Sequence, residues 1–111
     1  MEIKSRQHDD ILILDMAGRL DTSTSGNAHA ALVGYSKSGA KRILLNLDKL
    51  EYVSSAGLRV FLTLARLLQS AGGEMKIGHA NGVVRDALES SGFNSLIKIF
   101  DNETSAIKSW N

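Results

Sequence analysis

The sequence predicts an α/β fold: a single domain with a mostly parallel central sheet, an N-terminal hairpin and helices packed on the sheet. Three observations predict it. Two apolar runs, Ile11-Leu12-Ile13-Leu14-Asp15-Met16 and Ile43-Leu44-Leu45-Asn46-Leu47, are nearly uninterrupted, as in strands covered on both faces. Segments with the apolar spacing of helices alternate with these runs. Strands that alternate with helices are joined by right-handed crossovers, so neighbouring strands run parallel.

Taken in order, Ile3 to Arg6 reads as a short strand and His8-Asp9-Asp10 as a turn into Ile11 to Met16, which makes the hairpin. After Gly18-Arg19-Leu20-Asp21, the hydroxyls of Thr22-Ser23-Thr24-Ser25 offer a cap to a helix carrying Ala28, Ala31, Leu32 and Tyr35. That helix ends near Gly39, and Ile43 to Leu47 follows as a central strand. From Leu58 to Ala71 the polar residues Arg59, Thr63, Arg66, Gln69 and Ser70 form one narrow stripe of a helix. Leu58, Phe61, Leu62, Ala65 and Leu68 are therefore expected in the core. Gly72-Gly73 stops the helix, and Glu74 to His79 resumes as a strand through Met75 and Ile77. A third helix from about Gly82 carries Val83, Val84, Ala87 and Leu88 on one side and ends at Gly92. Leu96 to Phe100 suits a last short strand, and Asp101, Asn102 or Thr104 can cap a terminal helix through Ile107 and Trp110. The expected order is ββαβαβαα, or ββαβαβαβα if the last strand forms.

The 111 residues contain no Pro, Gly/Ser linker or charge run that would divide them, so residues 1–111 are expected to fold as one unit. There is no Cys, which removes disulfides and thiol chemistry. The formal charge is +1 and the basic residues are scattered, which argues against a nucleic-acid or anionic-membrane partner. No signal-peptide core or membrane-spanning apolar stretch is evident, so a cytoplasmic location is expected.

Ser54-Ser55-Ala56 lies where a strand gives way to a helix. A hydroxyl there has two readings. One is a plain N-cap, contributing about 1 kcal/mol. The other is a modification site, because the unpaired N–H groups and dipole of a helix start stabilise added negative charge.

Gly18-Arg19-Leu20-Asp21, the strand Ile43 to Leu47, and Leu50-Glu51-Tyr52-Val53 leading into Ser54-Ser55-Ala56-Gly57-Leu58 together resemble the STAS domain of bacterial anti-sigma factor antagonists. The resemblance covers essentially the whole chain. It implies that Ser55 is phosphorylated by an anti-sigma factor that is itself a serine kinase, and that the unphosphorylated form binds this partner and frees the sigma factor. It also implies a serine phosphatase that resets the switch. Many family members carry Asp immediately before the acceptor; here that position is Ser54. The partner surface expected around Ser55 comprises Asp21, Thr22, Ser54, Ala56, Gly57 and Arg59, bordered by Thr63, Arg66 and Ser70.

Other chemistries fare less well. A hydrolase elbow needs Gly-x-Ser-x-Gly, and around Ser55 the two glycine positions are Val53 and Gly57. His8, His29 and His79 fall in no ligand or triad spacing, and there is no phosphate-binding glycine motif, so no catalytic residue, metal or cofactor is expected. Asp21 reads either as a helix cap or as the acidic residue nearest the switch, since an open sheet gathers its functional loops at the C-terminal ends of its strands. A STAS-like accessory subunit of a transporter or lipid-trafficking ATPase, without phosphorylation, is the alternative function.

Overall fold

In the computed structural model, which describes residues 1–110, β1 (Glu2–His8) turns through Asp9 at φ 52 into β2 (Ile11–Leu20) and pairs with it antiparallel. The remaining elements are α1 (Ser25–Lys37), β3 (Arg42–Val53), α2 (Ser55–Ser70), β4 (Glu74–Gly78), α3 (Gly82–Ser90), β5 (Ile99–Phe100) and α4 (Glu103–Lys108). The strands lie in the order β1-β2-β3-β4-β5, with every pairing after the first parallel. Both the hairpin and the mostly parallel sheet are therefore as expected.

Alternation along the strands sends side chains to two different layers. Leu14, Met16 and Leu20 of β2, with Ile43, Leu45 and Leu47 of β3, join Leu32 of α1, Phe61, Leu64 and Leu68 of α2, and Val84 and Leu88 of α3 in the main core. Ile11, Ile13 and Leu44 point the other way and meet Ala106, Ile107 and Trp110 of the C-terminal segment. The two long apolar runs are covered on both faces for this reason.

Both runs continue as strand beyond their apolar residues. β2 reaches Leu20 through register shifts between Asp15 and Ala17 and between Gly18 and Arg19, and β3 reaches Val53. The extra length carries both strand ends to the start of α2.

Several side-chain expectations need correction. Leu58, Leu62 and Ala65 are half-buried rather than core, and Val60 and Leu64 are buried in their place. The helix presents a narrower face to the sheet than its composition implies, and Leu67 remains 40% exposed. Val83 is 62% exposed and Ala31 is exposed, each rotated off the face shared by its neighbours. Leu96 lies outside any strand: Phe93–Ser95 forms a 3-10 turn, and only Ile99 and Phe100 pair with β4. Of the three candidate caps for α4, Asn102 takes the role, accepting from Ser105 N at 2.8 Å.

Candidate functional site

At the C-terminal edge of the sheet, Leu20 pairs with Val53, and Ser54 N donates to Leu20 O at 2.9 Å. This bond joins the end of β2 to the start of α2. Ser54 is extended, at φ −90 and ψ 174, and its Oγ accepts from Gly57 N at 3.2 Å. It is the N-cap. Ser55 is the first helical residue and is exposed, with the cap already supplied by its neighbour. Two adjacent serines thus hold different positions: Ser54 Oγ is engaged with the backbone, and Ser55 Oγ faces solvent on the positive end of a 16-residue helix.

Gly57 has a packing reason. A Cβ at this position would come within 2.8 Å of Leu20 Cγ and of Val53 Cγ2, so only glycine lets α2 approach the two strands this closely. It was expected on the partner surface, but it is buried; Ser54, Ser55, Ala56 and Arg59 supply the accessible atoms.

Asp21 sits beside this edge, in the turn that follows β2. Its Oδ1 accepts from Ser23 N at 3.0 Å, Ser23 Oγ at 2.7 Å and Thr24 N at 3.2 Å. The Ser23 hydroxyl leads in holding its pKa below the usual aspartate value, with the backbone N–H bonds adding to the effect. Asp21 is thereby fixed as an anion in an Asx turn immediately before α1. Thr24 closes the turn, accepting from Asp21 N at 2.9 Å and donating to Arg19 O at 2.8 Å, while Thr22 is exposed. The helix-cap reading of Asp21 is therefore displaced by one turn: it organises the loop, and Thr24 occupies the N-cap position of α1 without a side-chain cap bond.

Two features of the edge are invisible in the sequence motif. The Arg19 guanidinium stacks 4.4 Å from the centre of the Tyr52 ring and lies 3.8 Å from Asp21 Oδ2. Their meeting depends on the Arg19–Tyr52 register, which follows a bulge that no local signal announces. Asn81 caps α3 through Val84 N and also donates to Leu50 O, which pins α3 against β3.

His8 sits 3.7 Å from Asp9 and His79, at φ 63, 3.4 Å from Asp48, while His29 is exposed. No helix of the described residues is long and apolar enough to cross a membrane.

Comparison with known proteins agrees with this architecture. The STAS domain model matches residues 2–106, and the chain belongs to that family. It is 31% identical over 106 residues to BtrV of Bordetella bronchiseptica, covering 96% of this chain and 91% of that protein. It is also 31% identical over 108 residues to the anti-sigma F factor antagonist of Paenibacillus polymyxa, covering 96% and 92%. Among solved structures, SpoIIAA in its unphosphorylated form superposes with a TM-score of 0.80 at 20% identity, over 97% of this chain and 95% of that one. The phosphorylated form of the Bacillus SpoIIAA gives 0.73 at 19% identity, over 99% and 100%.

Proposed function

We propose that this protein is an anti-sigma factor antagonist whose grip on an anti-sigma serine kinase is released by phosphorylation of Ser55 and restored by a serine phosphatase. The observation that carries the reading is the division of labour at the start of α2, where Ser54 supplies the cap and Ser55 is left exposed. Membership of the STAS family and the name of the Paenibacillus relative support antagonism. The existence of SpoIIAA in two phosphorylation states supports the switch.

The physics of the switch follows from position. A phosphoserine adds about −1.5 to −2 charges and three acceptor oxygens. At the first turn of α2 that charge meets the positive end of the helix, so the fold accommodates it. A partner that covers Ser55 when neutral would have to desolvate the dianion afterwards, beside the fixed negative charge of Asp21. Binding is lost while shape is kept. The partner footprint extends over Asp21, Thr22, Ser54, Ala56 and Arg59, which flank Ser55 on the same edge. This reading assigns the protein no catalytic step of its own; the kinase and phosphatase perform the chemistry.

The test is incubation with ATP and the cognate kinase, read by intact mass and phosphopeptide mapping. One phosphate on Ser55, absent in Ser55→Ala and retained in Ser54→Ala, is the expected result. Modification confined to Ser54, or none at all, would overturn the proposal.

A further inference from the structure

Lys76 on β4 is the one buried charged side chain among the described residues, with a relative exposure of 1%. Its Nζ lies 2.6 Å from Ser109 Oγ, 3.9 Å from Glu74 Oε1, and 4.3 and 5.6 Å from the ring centres of Trp110 and Phe100. Trp110 Nε1 in turn donates to Glu74 Oε1 at 3.0 Å. Half of this enclosure, Ser109 and Trp110, belongs to the segment that follows α4.

An ammonium here has exchanged its water shell for one neutral hydroxyl, a carboxylate beyond hydrogen-bond distance and two ring faces. The rings and Glu74 offset part of the desolvation, but the burial of the charge opposes closure. Burial accordingly lowers the Lys76 pKa, with Glu74 acting against the shift. The helix that completes the enclosure is held at its start by Glu103, which accepts from Arg6 and Asn46, and otherwise by little apolar area. α4 has six residues and buries only Ala106, far short of what holds an isolated helix. Its apolar contacts form a small cluster with Ile11, Ile13 and Leu44, separate from the main core.

We propose that α4 and Trp110 form a latch that opens as a unit while the rest of the domain stays folded, because closing it encloses the Lys76 ammonium. Opening hydrates Lys76 and uncovers Ile11, Ile13 and Leu44 on the sheet face opposite α1, α2 and α3. The main core, which holds the Ser55 edge in place, is untouched by the motion.

Native-state hydrogen exchange on the intact chain tests this, with the α4 amide of Ala106, bonded to Asn102 O, compared with the β3 amides of Leu44 and Leu45. The latch predicts that Ala106 exchanges far faster than the β3 amides and that low urea barely changes its opening, whereas β3 exchange rises steeply with urea. In Lys76→Met, which keeps the unbranched shape and removes the charge, Ala106 exchange slows roughly tenfold or more. Exchange of Ala106 that matches β3 in rate and urea dependence would overturn the proposal. So would a Lys76→Met protein in which Ala106 exchanges as fast as before or faster.

Discussion

Helix α2 is held to the sheet by Val60, Phe61, Leu64 and Leu68, all buried, and keeps its polar start at the rim. Helix α4, on the opposite face, buries only Ala106 and has charged groups of the sheet at both of its ends. At one end Glu103 accepts from Arg6, which also donates to Asp15, and from Asn46 at 2.9 Å. At the other end stands Lys76 with Ser109. Under the proposed switch, the contrast sets where a charge can change at small cost to the fold. A helix anchored by apolar area tolerates a new charge at its exposed start, whereas a helix anchored by charges responds to every change in them.

The largest expected effect lies in the apolar anchor. Phe61→Ala removes a fully buried ring that packs edge-on against Phe93 at 6.4 Å and should cost ~3–5 kcal/mol in chemical denaturation. A loss below ~1 kcal/mol would place Phe61 among surface residues and break the comparison at its base. Gly57→Ala forces a methyl into Leu20 and Val53 and should cost roughly 1–3 kcal/mol by overpacking. Unchanged stability in that variant would show that α2 can shift away from the strands.

The polar anchor of α4 should respond to pH instead. Hydrogen bonding from Arg6, and secondarily from Asn46, holds the Glu103 pKa below its ordinary value. A carboxylate whose folded pKa is depressed contributes stability that is present above its unfolded pKa, near about 4.3, and lost as pH falls through the folded value. Acidification should therefore lower the urea midpoint more in the wild type than in Glu103→Gln. Equal acid sensitivity of the two proteins would remove Glu103 from the clamp.

The smallest effects separate the two serines. Ser54→Ala should cost about 1 kcal/mol through the lost cap, whereas Ser55→Ala should stay within about 0.5 kcal/mol of wild type. Reversed values would mean that Ser55, not Ser54, holds the helix start.

Much of this organisation is legible in the sequence because it rests on local pattern. The runs Ile11 to Met16 and Ile43 to Leu47 announce buried strands, Gly72-Gly73 ends α2, and the strand-to-helix junction at Ser54-Ser55 stands where the motif puts it. What escapes is set by register and by distant coverage. Alternation with Met75 and Ile77 sends Lys76 to the face that a reader would leave in water, and Phe100 together with Ser109 and Trp110, more than twenty residues on, encloses it there. The Arg19–Tyr52 stack likewise depends on bulges in β2 that shift the strand ends against each other. The exposure of Leu67 and Val83 shows the same limit, since composition gives the apolar content of a helix but not the width of the face its neighbours cover.

The central claim is that phosphate on Ser55 abolishes partner binding without altering the fold, and amide chemical shifts of the two forms test it most directly. The account predicts changes confined to Asp21 through Ser25 and Val53 through Arg59, with Ile11 to Met16 and Ile43 to Leu47 unmoved. Shifts spread along those two strands would contradict it and show that the switch works by changing conformation.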